Sequence, residues 1–232
     1  MKYLYLWINI GSFIIPFLFS FHPKLKFYKK WPALAIGLLV MMVVFIPWDI
    51  AFTDRGFWGF NPDYLSGYYL LGLPLEELLF FICIPYACIF THYALLKLYP
   101  KFMFSDRVVS AAYVSLVSLL IVVLWYYYDR WYTLVNFIYA LLILGVVFNR
   151  RRRLLCSFFA TYLVILLPFF VVNGILTGTG IPELVVWYNN SENLGLRIFT
   201  IPVEDLIYNL SMLLTVLFIT EISHKRVVQK SA

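Results

Sequence analysis

Apolar runs of bilayer-spanning length dominate the chain, falling at about residues 3–21, 32–50, 74–97, 108–128, 131–149, 154–172 and 202–221. A helix needs about 20 such residues to cross the hydrocarbon core, and within lipid it must satisfy its own backbone hydrogen bonds. Pro16, Pro47, Pro85 and Pro168 lie within or near these runs, where packing against neighbouring helices accommodates the lost bond. Composition agrees: 63% of the 232 residues are hydrophobic and 13% charged, more apolar surface than a water-soluble domain can hide. The expectation is an all-α polytopic membrane protein with seven transmembrane helices.

The net charge of +6 sits in short basic blocks between the runs. If the seven segments alternate, 14 Lys and Arg fall on one face, including Lys24 to Lys30, Arg150 to Arg153, Lys225, Arg226 and Lys230, against Lys2, Arg55, Arg130 and Arg197 on the other. Such asymmetry places the richer face in the cytoplasm, the amino terminus outside and the carboxyl terminus inside. The same blocks argue against a nucleic-acid partner, because they set topology and form no continuous basic patch. The first run has no small-residue cleavage pattern and reads as a retained span. Cys83, Cys88 and Cys156 lie inside apolar runs without redox or metal spacing and read as packing residues. His22, His92 and His224 make no convincing site, and neither a dinucleotide fingerprint nor a phosphate loop occurs. No cofactor and no metal are expected.

Acidic residues gather at the opposite helix mouths, and there the chain repeats itself. Leu73-Pro74-Leu75-Glu76-Glu77-Leu78-Leu79-Phe80 recurs 128 residues later as Ile201-Pro202-Val203-Glu204-Asp205-Leu206-Ile207-Tyr208. Asp49-Ile50-Ala51-Phe52-Thr53 matches Asn173-Gly174-Ile175-Leu176-Thr177 at an offset of 124. Helices 1–3 and 5–7 therefore read as two triplets, within residues 1–97 and 131–232, joined by a connecting helix within 98–130. The interval of four spans gives both copies the same direction through the membrane. Parallel repeats are related by an axis along the membrane normal, an arrangement that gathers four carboxylates near one cleft.

Two readings of Pro-x-Glu-Glu and Pro-x-Glu-Asp stand side by side. Proline suits the first helical turn, and acids there meet the positive end of the helix dipole. Alternatively Glu76, Glu77, Glu204 and Asp205 are intramembrane acids that hold and donate a proton, since such groups are costly unless paired or used. Adjacent helical positions are about 100° apart, so one acid of each pair faces a substrate and its neighbour orients it; Glu76 and Glu204 are preferred for the direct role. Asp49, Thr53, Asn173 and Thr177 are candidates for support, although helix-end capping, and a turn at Asn173-Gly174, explain them as well. Arg197 can pair with an acid near Glu204 or lie at the surface. Asn209, Phe80 and Tyr208 are candidates for the cleft wall. Aromatic residues make up 20% of the chain, and while membrane belts account for many, several rings around a cleft would bind an apolar substrate and stabilise positive charge.

The two acidic motifs, with Asn173-Gly174-Ile175-Leu176-Thr177 and Leu196-Arg197-Ile198-Phe199-Thr200 leading into the second, resemble the integral-membrane lycopene cyclases, in the seven-helix form that fuses two related halves found elsewhere as heterodimer subunits. The first-half Asp49-Ile50-Ala51-Phe52-Thr53 departs from the Asn-Gly-x-Leu-Thr form of the second. The resemblance implies cyclisation of lycopene through gamma-carotene to beta-carotene without net redox change, in a bacterial cytoplasmic membrane. It implies lycopene and related linear carotenoids as substrates, membrane lipid as surroundings, and room for association with other carotenoid-biosynthesis enzymes or a second copy. Alternatives are a related carotenoid cyclase or hydratase, or a seven-helix transporter or lipid-binding protein whose acids relay protons. A retinal protein is disfavoured because residues 202–221 contain no lysine.

Overall fold

The apolar runs fold as helices at Leu4–Phe19 (α1), Trp31–Asp54 (α2), Leu75–Leu98 (α3), Asp106–Tyr126 (α4), Trp131–Leu176 (α5) and Val203–Lys230 (α6). The computed structural model describes residues 2–230, with side chains through residue 224, so the side chains of Lys225, Arg226 and Lys230 lie outside the described residues. Proline and Ser105 set four of the starts. Pro32 occupies the first turn of α2, Pro74 directly precedes α3, Pro202 directly precedes α6, and Ser105 Oγ accepts from Val108 N at 3.5 Å ahead of α4. Glycine sets two of the stops: Gly56 (φ 69°) follows α2 and Gly178 (φ 109°) follows α5, in the left-handed region that ends a helix. Because these are the breaks, α2 runs past Pro47 to Asp54 and α5 runs to Leu176. Asn173-Gly174 is thus helical, and the turn expected there is displaced to Thr177-Gly178.

Among the described residues five helices are long and apolar enough to cross a bilayer, while α1 has 16 residues. The fifth and sixth expected spans, with Arg150 to Arg153 as a loop between them, form instead one 46-residue helix broken at Arg151 (φ −149°, ψ 44°). A straight helix would hold Tyr132 and Asn173 roughly 60 Å apart. Yet Tyr132 Oη donates to Asp205 Oδ1 at 2.5 Å, and Asn173 Nδ2 approaches Asp205 Oδ2 at 3.4 Å. Helix α5 therefore doubles back at Arg151 into two arms, and the four arginines mark the reversal, where they stay out of the apolar layer.

Burial orders the bundle. Sixty-one per cent of the apolar window of α6 is buried, against 11% for α4, so α6 is central and the connecting helix peripheral. Helix α6 packs against α2 and α5, α1 packs against α3, and α4 packs on α5. At the α2–α6 crossing Gly37 lies so close that a Cβ would stand 2.6 Å from Thr220 Oγ1 and 2.7 Å from the Val216 carbonyl.

Among the described residues six short strands cap one end: Trp58–Phe60 (β1), Tyr69–Leu70 (β2), Leu73–Pro74 (β3), Val186–Tyr188 (β4), Arg197–Ile198 (β5) and Ile201–Pro202 (β6). The β2–β3 and β5–β6 hairpins stand immediately before the acidic motifs, one in each half, with Leu71 and Phe199 at their tips in the left-handed region (φ 56° and 57°). Strands β1 and β4 pair antiparallel, Trp58 with Tyr188, Gly59 with Trp187 and Phe60 with Val186. Gly59 thus faces the residue 128 positions later, its own counterpart. An antiparallel ladder centred on a pair of equivalents is what a two-fold axis between the halves produces, so the duplication is written in the backbone as well as in the sequence.

Candidate active site

The acidic pairs divide their labour identically in the two halves. Glu76 and Glu204, 1% and 0% exposed, turn away from the bundle axis toward the preceding loop: Glu76 Oε1 accepts from Ser66 N at 2.7 Å, and Glu204 Oε1 accepts from Leu194 N at 2.7 Å. Thr133 Oγ1 adds a second bond to Glu204 Oε1 at 2.7 Å. Asn9 Nδ2 donates to the Glu76 carbonyl and Asn136 Nδ2 to the Glu204 carbonyl, each at 2.8 Å. These contacts fasten each hairpin and each first helix to the mouth of the acidic helix.

One turn position on, Glu77 and Asp205 point into a shared chamber. Tyr5 Oη donates to Glu77 Oε2 at 2.5 Å, matching the bond from Tyr132 to Asp205. Asp205 Oδ2 also receives the Tyr188 hydroxyl at 3.0 Å and Asn173 Nδ2 at 3.4 Å. The geometry therefore reverses the preference of the sequence reading: Glu77 and Asp205 face the interior, and Glu76 and Glu204 face loops. The physical reason is the loop leading into each β-hairpin, where the backbone N–H of Ser66 or Leu194 claims the first acid.

Asp49 is the third carboxyl at the chamber. It is 2% exposed, its Oδ1 receives Trp58 Nε1 at 2.6 Å and Thr53 Oγ1 at 3.4 Å, and its Oδ2 has no partner among the described residues. The chamber is lined among others by Tyr5, Trp58, Phe60, Phe80, Tyr132, Tyr188 and Tyr208. Its wall pairs equivalents from the two halves: Tyr5 with Tyr132, Glu77 with Asp205, Phe60 with Tyr188, Phe80 with Tyr208, Asp49 with Asn173. Trp58 meets Tyr132 at 5.1 Å between ring centroids, and Tyr132 stacks near Tyr188 at 5.9 Å. Burial, then the neighbouring Asp205 carboxylate, push the Tyr188 phenol well above its ordinary 10.0, which keeps it a donor.

Of the other residues singled out from the sequence, Thr177 and Asn209 line the chamber, Thr177 Oγ1 donating to the Asn173 carbonyl at 2.7 Å. Thr53 stands behind Asp49. Arg197 lies outside the chamber: it donates to the Thr200 carbonyl at 2.7 Å and to Asn190 Oδ1 at 3.0 Å, with its guanidinium 5.8 Å from the Tyr188 ring centre. It holds the β5–β6 hairpin and makes no ion pair with Glu204. His92 is buried against Thr161 Oγ1 at 2.7 Å, away from the acids. Sequence reasoning passed over Tyr5, Asn9, Tyr132 and Asn136, and left Trp58 and Tyr188 within the general aromatic set. The first four carry a legible signal, a Tyr-x-x-x-Asn step on one helical face that recurs 127 residues later.

Fold and chamber together define an internally duplicated, multi-pass helical membrane protein whose halves enclose one acid-lined, aromatic interior. The profile of the family described as Lycopene cyclase matches residues 2–96 and, a second time, residues 129–223. The chain belongs to the lycopene cyclase family, which makes it a carotenoid-cyclising enzyme with linear carotenoids as its substrate class. No curated protein and no solved structure matches it.

Proposed function

We propose that this protein is a lycopene beta-cyclase, converting lycopene through gamma-carotene to beta-carotene by an overall isomerisation. The observation that carries the reading is the convergence of Asp49, Glu77 and Asp205, from both halves, on one chamber walled by aromatic rings. The reaction needs a proton given to a terminal alkene, attack of a neighbouring double bond on the resulting carbocation to close the ring, and loss of a different proton. No electrons are exchanged in that balance, so no redox partner is required.

The hydrogen bonds suggest how the roles divide. Glu77 has one donor, Tyr5, and is the least enclosed of the three acids, suited to delivering the proton. Asp205, gripped by Tyr132, Tyr188 and Asn173, is suited to remain an anion that stabilises the cation. The free Oδ2 of Asp49 is placed to accept the departing proton. The rings of Trp58, Tyr132 and Tyr208 add cation–π attraction and exclude water that would trap the cation as an alcohol. Glu76 and Glu204 orient the acidic helices without meeting substrate. In this reading the first and second halves, 1–97 and 131–232, are not separate catalytic units. The family resemblance suggests a bacterial cytoplasmic membrane, and the basic loops support an orientation with the amino terminus outside and the chamber near the outer surface.

Expression in cells that accumulate lycopene, with pigments separated and weighed by mass spectrometry, tests the proposal. Products of unchanged mass with one or two beta rings are expected. Products heavier by one water would assign a hydratase, and unchanged lycopene in membranes holding the folded protein would return the chain to a binding or transport role.

A further inference from the structure

A second, apolar cavity adjoins the acidic chamber and shares Phe80, Phe169, Asn173 and Asn209 with it. It lies between α1, α3 and the second arm of α5, and from Phe80 to Thr91 it follows α3 for roughly 16 Å toward the opposite face of the membrane. Its wall includes small side chains, Ser12 on α1 and Ala87 on α3, with Val172 on α5.

The two-fold relation of the halves calls for a matching groove between the first arm of α5, α6 and α2. The offsets fixed by the paired hydrogen bonds and motifs identify its residues. Ser12 corresponds to Tyr139, Ala87 to Thr215, Val172 to Trp48, Phe169 to Phe45 and Phe80 to Tyr208. Every small position of the open groove carries a larger side chain here. Those side chains are packed together: Phe45 meets Tyr139 at 5.2 Å and Tyr208 at 5.0 Å between ring centroids, Trp48 meets Tyr208 at 5.0 Å, and Tyr139 Oη and Thr215 Oγ1 share a hydrogen bond of 2.8 Å. The symmetric passage is filled with protein, and interiors packed this way leave no room for a chain.

From this asymmetry we infer that the duplicated enzyme has one working door: the groove past Ser12, Ala87 and Val172 holds the polyene tail of the carotenoid while its end group sits among the acids, and the counterpart past Tyr139 and Trp48 is permanently sealed. The inference rests on the cyclase reading for the identity of the occupant. The occupant is an extended apolar chain because the groove is apolar, elongated along α3, and continuous with the acid-lined chamber.

The test copies the seal onto the open side. The triple variant Ser12→Tyr, Ala87→Thr, Val172→Trp is expressed in lycopene-accumulating cells beside the unaltered protein and Gly11→Phe, whose Cβ would meet nothing within 4 Å. A loss of cyclised pigment of at least tenfold is expected in the triple variant, at equal amounts of monodisperse detergent-extracted protein, and none in Gly11→Phe. Undiminished conversion by the triple variant would overturn the groove. No conversion by the unaltered protein would instead overturn the cyclase reading. Labelling of Cys88, half-buried in the groove, gives a readout that needs neither turnover nor the triple variant. In a Cys83→Ser, Cys156→Ser protein, maleimide modification of Cys88 in membranes should slow at least fivefold when the membranes contain lycopene. An unchanged rate would assign the groove to lipid acyl chains and sink the proposal.

Discussion

At the level of single residues, the acidic pairs separate anchoring from chemistry by one position. Glu76 and Glu204 spend an oxygen on a backbone N–H, a bond that a neutral amide also accepts. Glu76→Gln and Glu204→Gln should therefore keep activity within about tenfold of the parent, whereas Glu77→Gln, which deletes a general acid, should lower cyclised pigment by about 10²- to 10⁴-fold at equal folded protein. Tyr188→Phe removes one of three donors from Asp205, and a hydrogen bond to a charged group is worth about 1.5–3 kcal/mol, so a loss of about tenfold or more is expected in the same pigment assay. Equal losses at Glu76 and Glu77 would collapse the distinction. The sequence displayed both acids of each pair because two charges in an apolar helix are conspicuous. It did not say which one faces inward, since that is decided by the loop N–H groups of Ser66 and Leu194, which the following hairpins fold back over the helix starts through left-handed turns at Leu71 and Phe199, residues without glycine's signature. The tyrosines that complete the site were hidden for the opposite reason: in a chain one-fifth aromatic, Tyr5 and Tyr132 look like membrane-belt residues until their asparagine partners are read with them.

Elements show the same division between what hydropathy dictates and what packing adds. The apolar runs, three of them with proline at the start, were enough to locate the helical segments, because a helix in lipid has no alternative partner for its backbone. The joint between the fifth and sixth runs was readable as a change of direction from its four arginines, but the continuation of helical backbone up to and past Arg151 was not, since nothing in a charged tetrad distinguishes a loop from a sharp break. The close approach of α2 and α6 was also illegible, for a lone glycine in an apolar run carries no partner's name. There the prediction concerns stability. Gly37→Ala sets a methyl group against the Val216 carbonyl, an atom no side-chain rotation can move, so the helices must part; overpacking of this kind costs about 1–3 kcal/mol. Thermal unfolding in detergent should shift down accordingly. Adding Thr220→Ala should restore little of the loss, because the backbone contact remains, and full rescue would show that the threonine hydroxyl alone sets the spacing.

Taken whole, the molecule makes one site from two copies. The ladder between β1 and β4 and the packing of α2 on α6 tie the halves together, and the chamber draws one acid of the Glu77–Asp205 pair from each. Neither half holds a complete wall. A chain cut between α3 and α4, within residues 99–105, should therefore be inactive as either fragment and regain cyclisation when both are expressed in one membrane, with co-purification reporting the reassembly. A single chamber also governs the order of events on a substrate with two reactive ends. Lycopene is far longer than the site, so its ends cannot occupy the chamber together, and with the passage past Trp48 and Tyr139 filled the chain cannot be threaded onward by that route. The one-ring product must withdraw along the groove, turn in the lipid and return by its open end. Isotope-labelled gamma-carotene added to membranes that are converting unlabelled lycopene should then mix with the pool before the second closure, and the labelled fraction of new beta-carotene should track that of the one-ring pool. Beta-carotene formed without that label would mean that both rings close in one residence, which requires the sealed side to open.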